Sequence, residues 1–268
     1  MGRISSWTVT AVAGGILLAG VAGCKASDAV KHSNDGATTG NPAPPSAPLD
    51  QATLGTVDGT VRFVGKAPER VKIDMSMDPV CSITGGDNFA EQYMAKEGKL
   101  ANVYVYVKSG PPAAMSAPRP TNAIVPVMDQ IGCKYVPHVV AVMRGGSIEF
   151  RNSDGTMHNI HTEPVEVRNQ PIDISQGANG TPQVKQFNQA EVMIPVRCNN
   201  HPWMNAFINV SATPFFAVTD TNGHFDISGL PPGTYTLAAV HEKMGEQTMT
   251  VTVAPKGTAK ADFSFSVK

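Results

Sequence analysis

Three side chains with metal-binding atoms lie within the seven residues CNNHPWM, at positions 198–204. Cys198 offers a thiol, His201 an imidazole and Met204 a thioether, and the three are evenly spaced. Such soft and borderline ligands are typical of copper, zinc and iron sites. The stretch lies between the apolar runs EVMIPV and AFINV, which predict two strands. The three side chains therefore share one short inter-strand loop, which can direct them toward a single ion.

A further nitrogen ligand is predicted upstream, in the segment MHNIHT at 157–162. A trigonal copper site needs a second imidazole beside the thiolate, with the thioether as a weak axial ligand. Successive side chains of a strand point to opposite faces, so His158 and His161 face opposite ways. Only one of these two histidines is expected to reach the metal.

Strand-like runs follow one another through the body of the chain, each rich in β-branched or aromatic residues. Turn-forming Gly, Asn and Pro residues separate them. The runs are GTVRFVG, LANVYVYVK, HVVAVM, SIEFRN, EVMIPV, AFINVSA, FFAVTD, TYTLAAV, TMTVTV and DFSFSV. Only NFAEQYMAKEG, at 88–98, has a helical appearance. We therefore expect an all-β fold built from β-sandwiches.

The N-terminal residues predict export. A basic start at Arg3 precedes the apolar run TVTAVAGGILLAG, which ends in VAGC. This ending resembles the lipobox of bacterial lipoproteins, which implies that residues 1–23 are a signal peptide and that Cys24 is lipidated. The protein would then be anchored to the inner or outer membrane on the periplasmic side of the cell envelope. The alternative is an ordinary secretory signal. Residues 24–54, poor in bulky apolar side chains, are predicted to form a flexible tether.

The three remaining cysteines are an odd number in a compartment where disulfides persist. Pairing Cys81 with Cys133 would leave Cys198 as the thiolate that binds metal, so that no exposed free thiol remains. A second possibility is that Cys133 and His138, in GCKYVPH, belong to another metal site.

Residues 137–212 resemble the cupredoxins, the small blue copper proteins. CNNHPWMNAFINV is most similar to the short CxxHxxM ligand loop of the amicyanins within that family, and MHNIH is similar to their upstream ligand segment. The resemblance implies a Greek-key β-sandwich with one type 1 copper. It assigns the ligands His158, Cys198, His201 and Met204. It also implies that Asn159 ties the two ligand loops together, that His161 is not a ligand, and that one edge of the His201 imidazole is exposed for docking.

The C-terminal residues 213–268 resemble the carboxypeptidase regulatory-like domain, a small transthyretin-like β-sandwich. The segment TDTNGHFDISGLPPGTYTL, with its Asn222-Gly223 turn, carries this resemblance. Residues 55–212 would then form the copper domain, with residues before 137 as extra strands and a disulfide-stapled insertion.

These features predict a copper protein that carries single electrons between transient redox partners and is not an enzyme. Copper handling, meaning storage, delivery or sensing of the ion itself, is the main alternative. Met75 and Met77 in IDMSMD offer paired thioethers, which suit Cu(I). Structural zinc or a scaffold role with a vestigial site are further alternatives, although methionine is a poor zinc ligand. The net charge of -1 predicts no nucleic-acid partner.

Overall fold

A computed structural model of the chain describes residues 49–267, which belong to one compact unit. The predicted signal peptide, the lipidation site Cys24 and most of the tether lie outside these residues. The strands are β1 (Gly55–Phe63), β2 (Ala95–Lys96), β3 (Lys99–Leu100), β4 (Tyr104–Ser109), β5 (Val127–Gln130), β6 (Tyr135–Val136), β7 (Val139–Met143), β8 (Gly146–Asn152), β9 (His158–Thr162), β10 (Asp173–Gln176), β11 (Gln183–Phe187), β12 (Glu191–Arg197), β13 (Asn205–Ser211), β14 (Phe216–Val218), β15 (His224–Leu230), β16 (Gly233–His241), β17 (Gly245–Val253), β18 (Thr258–Lys260) and β19 (Phe263–Phe265). The helices are α1 (Pro79–Thr84) and α2 (Pro112–Met115).

The prediction of an all-β fold is confirmed, since strands dominate the described part and both helices are short. All ten runs predicted as strands coincide with strands. Within residues 49–267, no helix is long and apolar enough to cross a membrane.

The first sandwich contains the predicted ligand loop. One sheet has the strand order β10-β9-β12-β13-β7, and the facing sheet has the order β11-β8-β5-β6. Their inner faces share a core that includes Phe150, Ile160, Ile194 and Ile208, all almost completely buried. The loop between β12 and β13 lies at one end of this core, and Cys198 and Met204 pack into it.

The second sandwich combines strands from both ends of the described chain. β1 pairs with β15, β18, β19 and β3, whereas β4 lies between β14 and β16 in the facing sheet. Val57, Val107, Phe225 and Leu237 are part of its shared core. The strand pairing therefore differs from the predicted division at residues 212 and 213. The reason is physical: the C-terminal strands alone would leave sheet edges and apolar faces uncovered, and β1 and β4 cover them.

Segment 88–98 was predicted to be helical. This prediction was wrong, because the segment forms no helix. Its end forms β2, which turns back into β3 through Glu97 and Gly98. Both turn residues have positive φ, +53° and +72°, as a tight hairpin turn requires. Glycine adopts this conformation without strain, so the turn overrides the weak helical propensity of the residues before it.

The connection between β1 and β2 crosses to the end of the first sandwich that carries the ligand loop. Within it, α1 begins after Asp78, whose Oδ1 accepts hydrogen bonds from the backbone N–H groups of Val80 and Cys81, at 2.7 and 3.1 Å. Proline follows Asp78, where its missing N–H costs the helix nothing. A disulfide joins Cys81 of α1 to Cys133, in the turn between β5 and β6. The segment is thus held over the ligand loop.

Candidate metal centre

The loop 198–204 is closed by its own backbone. The N–H of Cys198 donates to the carbonyl of Met204, at 3.3 Å, and the N–H of Met204 donates to the carbonyl of His201, at 2.9 Å. Because these bonds turn the chain tightly, all three predicted ligands point inward and are at most 5% exposed. The loop therefore presents its thiol, imidazole and thioether away from solvent.

His158 approaches the loop from the first residue of β9, which pairs with β12 beside it. Its side chain is fully buried, and its Nδ1 lies 2.9 Å from Nδ1 of His201. The Sγ of Cys198 lies 3.5 Å from the same His201 nitrogen. One donor atom from each of these three residues lies within 4.8 Å of the others. Two imidazole nitrogens and a sulfur thus converge on one small volume.

The chemistry of this donor set fits copper. Burial opposes ionisation of the Cys198 thiol, but hydrogen bonds involving His158, the N–H groups of Asn200 and Asn159, and His201 lower its pKa to about 6. A thiolate is the form that binds metal. Two nitrogens and a thiolate, with a buried thioether in the same core, are the ligand types of a blue copper centre.

Two hydrogen-bond partners oppose the effect of burial on the pKa of His158. Burial alone would lower its pKa, but the hydrogen bonds to Asp154 and Cys198 raise the pKa of His158 to about 9. Because a metal binds the unprotonated imidazole, protons and metal compete for this side chain.

Two carboxylates hold the outer nitrogens of the histidines, and sequence analysis missed both. The Nε2 of His158 lies 2.9 Å from Oδ2 of Asp154, and the Nε2 of His201 lies 3.0 Å from Oδ2 of Asp78. Carboxylates in this position fix the orientation of metal-binding imidazoles and increase their basicity. Burial opposes ionisation of Asp78, yet the bond from His201 and those from backbone N–H groups and Thr156 lower its pKa to about 2.

Asn159 links the segments of the site in three ways. Its N–H points at Sγ of Cys198, at 3.3 Å, and its side-chain oxygen accepts from the N–H of Asn199, at 3.4 Å. Its side-chain nitrogen donates to Asp173 and to the carbonyl of Ile174. These contacts connect the strand that carries His158 to the loop that carries Cys198.

The expected exposure of the His201 imidazole was wrong. His201 is only 3% exposed, and its Nε2 is covered by Asp78 and lies 3.8 Å from Sγ of Cys81. Trp203 packs beside it with ring centroids 5.0 Å apart and donates from Nε1 to the carbonyl of Cys133. The segment between β1 and β2 thus covers the imidazole edge that the resemblance implied to be open. Pro202 alone in the HPW stretch is exposed.

The other candidate ligands lie elsewhere. His161 is partly exposed and lies 3.4 Å from Asp173. His138 is buried against Glu242, at 2.7 Å, and its other nitrogen contacts the carbonyl of Asn205. Cys133 is in the disulfide, so it does not form a site with His138.

The sequence of residues 196–266 matches the family model of the carboxypeptidase regulatory-like domain. The matched segment includes the ligand loop as well as the C-terminal strands. The match covers only part of the chain, so it does not assign the chain as a whole to that family. No curated protein matches the chain.

Solved copper proteins share a distant structural likeness with the chain. A copper-containing nitrite reductase from Thermus scotoductus has 20% identity and a TM-score of 0.30, over 37% of this chain and 26% of its own length. A variant of oxidised amicyanin has 17% identity and a TM-score of 0.30, over 40% of this chain and 98% of its own. A purple cupredoxin from Nitrosopumilus maritimus has 23% identity and a TM-score of 0.25, over 29% and 82%. At these TM-scores the likeness carries no argument about function.

Proposed function

We propose that this protein binds one copper ion and carries single electrons between redox partners. The observation that carries the proposal is the buried convergence of the Cys198 sulfur with nitrogens of His158 and His201. These donors accept both Cu(I) and Cu(II), as an electron carrier requires. The loop exposes Asn199, Asn200 and Pro202, and a partner that docks on so few residues would bind weakly and briefly.

The residues around the centre have distinct tasks. Cys198 and the Nδ1 atoms of His158 and His201 would hold the ion, with the Met204 thioether completing the set. When bound, copper supplies a one-electron couple. Asp78 and Asp154 orient the imidazoles, and the N–H of Asn159 stabilises the thiolate. The surrounding burial excludes water, so that little rearrangement accompanies a change of charge.

The same proposal places the protein outside the cytoplasm. The VAGC motif supports lipidation at Cys24 and a membrane anchor on the periplasmic side. The disulfide between Cys81 and Cys133 suits an oxidising compartment. The tether would allow the folded part to reach partners at some distance from the membrane.

Copper handling is the second candidate, because a sulfur-rich cluster lies beside the centre. Met75 packs against Cys81 and Cys133, and all three side chains are buried. The Met75 thioether in this cluster is a soft donor that electron transfer does not require.

The test is the visible absorption and electron paramagnetic resonance spectrum of the Cu(II)-loaded full chain. An intense thiolate-to-copper band with narrow hyperfine splitting, absent from Cys198→Ser and reversibly bleached by a mild reductant, is the expected result. His158→Ala should abolish this spectrum, whereas His161→Ala, a matched change on the same strand, should leave it intact. An ordinary tetragonal copper spectrum in the unsubstituted chain would refute the electron-carrier proposal.

A further inference from the structure

The side chains of Cys81, Cys133 and Met75 pack together, and Cys81 contacts His201. Cys81 and Cys133 are completely buried, Met75 is 6% exposed, and the three form one cluster with Ile73 and Trp203 at its edge. The proposed copper centre would be held by the Nδ1 atoms of the histidines. The sulfur cluster lies toward the Nε2 side, where Sγ of Cys81 is 3.8 Å from Nε2 of His201. The cluster thus borders both histidines of the proposed copper centre, but its sulfur atoms are not among the donors proposed there.

We propose that the Cys81–Cys133 disulfide masks a second metal site, which binds Cu(I) when the disulfide is reduced. A dithiol reductant supplies two electrons and two protons, so that the sulfur–sulfur bond breaks into two thiols while the reductant becomes a disulfide. Cu(I) then displaces thiol protons and is bound by Cys81, Cys133 and the thioether of Met75. Thiolates and thioethers are the ligands that select Cu(I).

The backbone of Cys81 is held in place without the disulfide. Its N–H donates to Asp78 in the first turn of α1, and its carbonyl accepts from the N–H of Gly85. Asp78 is itself bound to His201 and to Thr156. Reduction would therefore leave the Cys81 sulfur close to its present position.

The backbone of Cys133 is anchored just as firmly. Its N–H donates to Oδ2 of Asp154 at 2.8 Å, and its carbonyl accepts from Nε1 of Trp203 at 3.1 Å. The neighbouring Gly132 is bound through its N–H to Asp154 and through its carbonyl to Asn88. Two thiols released here would remain facing one another, which lowers the entropic cost of binding an ion between them.

The position of Met75 adds an observation that a structural disulfide does not require. Its Sδ lies near Gly85, where a Cβ atom would come within 2.9 Å of the sulfur. The side-chain nitrogen of Asn88 is 3.7 Å from the same sulfur. Met77, two residues later, is 73% exposed. One thioether of the pair therefore belongs to the sulfur cluster and the other does not.

The experiment uses the full chain carrying Cys198→Ser, so that it does not depend on the proposed electron-transfer centre. One sample keeps the disulfide. The other is reduced with dithiothreitol, which anaerobic gel filtration then removes. Thiol titration should show two new thiols, and competition with the chromophoric chelator bicinchoninate should show one Cu(I) per chain that the oxidised sample does not bind. Equal Cu(I) binding by the two samples would overturn the proposal.

Two substitutions distinguish a preformed metal site that includes Met75 from two thiols that bind Cu(I) without it. Met75→Leu should weaken Cu(I) binding by about tenfold or more, since loss of even an outer contact costs a metal site that much. Met77→Leu, the matched change at an exposed methionine, should have no effect. Equal affinities for the two variants, or loss of the near-ultraviolet circular dichroism of the chain on reduction, would each contradict a preformed site.

Discussion

The carboxylate of Asp78 joins His201 to the first turn of α1. One oxygen lies 3.0 Å from Nε2 of the imidazole, and the other accepts from the N–H groups that begin the helix. A single side chain thus orients a proposed ligand and fixes the segment that covers it. This double task makes Asp78 the most informative position for testing how the cover affects the metal centre.

Asp78→Asn should weaken copper binding by roughly 10–100-fold, as loss of a carboxylate behind a metal-binding histidine usually does. Asparagine still caps a helix well, so α1 should persist. Chelator competition measures the affinity, and a changed hyperfine splitting would show that the ligand orientation is altered. Asp87→Asn removes an exposed carboxylate that pairs with Lys72, and serves as the control. Equal affinities for both variants would argue against a role for Asp78.

The disulfide should contribute substantially to stability. It closes a loop with a sequence separation of 52, so its removal in Cys81→Ser/Cys133→Ser should lower the free energy of unfolding by roughly 2–4 kcal/mol. Urea unfolding followed by circular dichroism measures this change in the metal-free protein. Cys198→Ser alters a buried cysteine without breaking a bridge, and a similar loss in that variant would show that the disulfide is not the cause.

His241 should make the protein less stable in acid. Burial lowers its pKa from 6.5 to about 4, and its Nδ1 accepts a hydrogen bond from the N–H of Lys243, which a protonated imidazole cannot do. The unfolded chain therefore binds more protons than the folded one between these values. The full contribution of neutral His241 to the free energy of unfolding is present above pH 6.5. This contribution decreases as the pH falls toward 4, by up to about 3 kcal/mol.

His241→Gln removes this titration and provides the comparison. The difference in unfolding free energy between the original chain and the variant should shrink as pH falls from 7 to 4.5. Urea unfolding across that range measures it. A difference that stays constant with pH would show that His241 is not the group responsible.

Membrane attachment should depend on Cys24. Lipid chains on this residue would hold the protein to a membrane, because each buried methylene adds about 0.8 kcal/mol to binding. Cys24→Ala should move the protein from the detergent-extracted membrane fraction to the soluble fraction, and mass spectrometry of the original chain should show the added lipid. An unmodified cysteine in the exported protein would contradict the lipoprotein proposal.

Local patterns predicted most of the strands and the ligand loop, because period-two alternation and ligand spacing are properties of neighbouring residues. Asp78 lies more than 120 residues before His201, so no local signal links the two. Asp154 lies in the segment NSDGT, whose residue types predict a turn and do not indicate a role at the site. The pairing of β1 with β15 was missed for the same reason, since the partner of an edge strand is decided by the whole fold.

The prediction that failed at the hairpin of β2 and β3 has a different cause. Helical propensity is a weak preference, and the Glu97-Gly98 turn together with pairing to β1 outweighed it. The assignment of His158, Cys198, His201 and Met204 to one copper stays a prediction. The arrangement of their side chains supplies its main support.

The position of β1 means that the second sandwich is completed late in folding. β1 is the first strand of the described residues, yet its Phe63 pairs with Phe265 of β19, the last strand there. The second sandwich therefore cannot close until β19 is available for pairing. Contacts so distant along the chain slow folding. A chain without β19 would leave part of β1 unpaired, and unpaired strand edges favour aggregation.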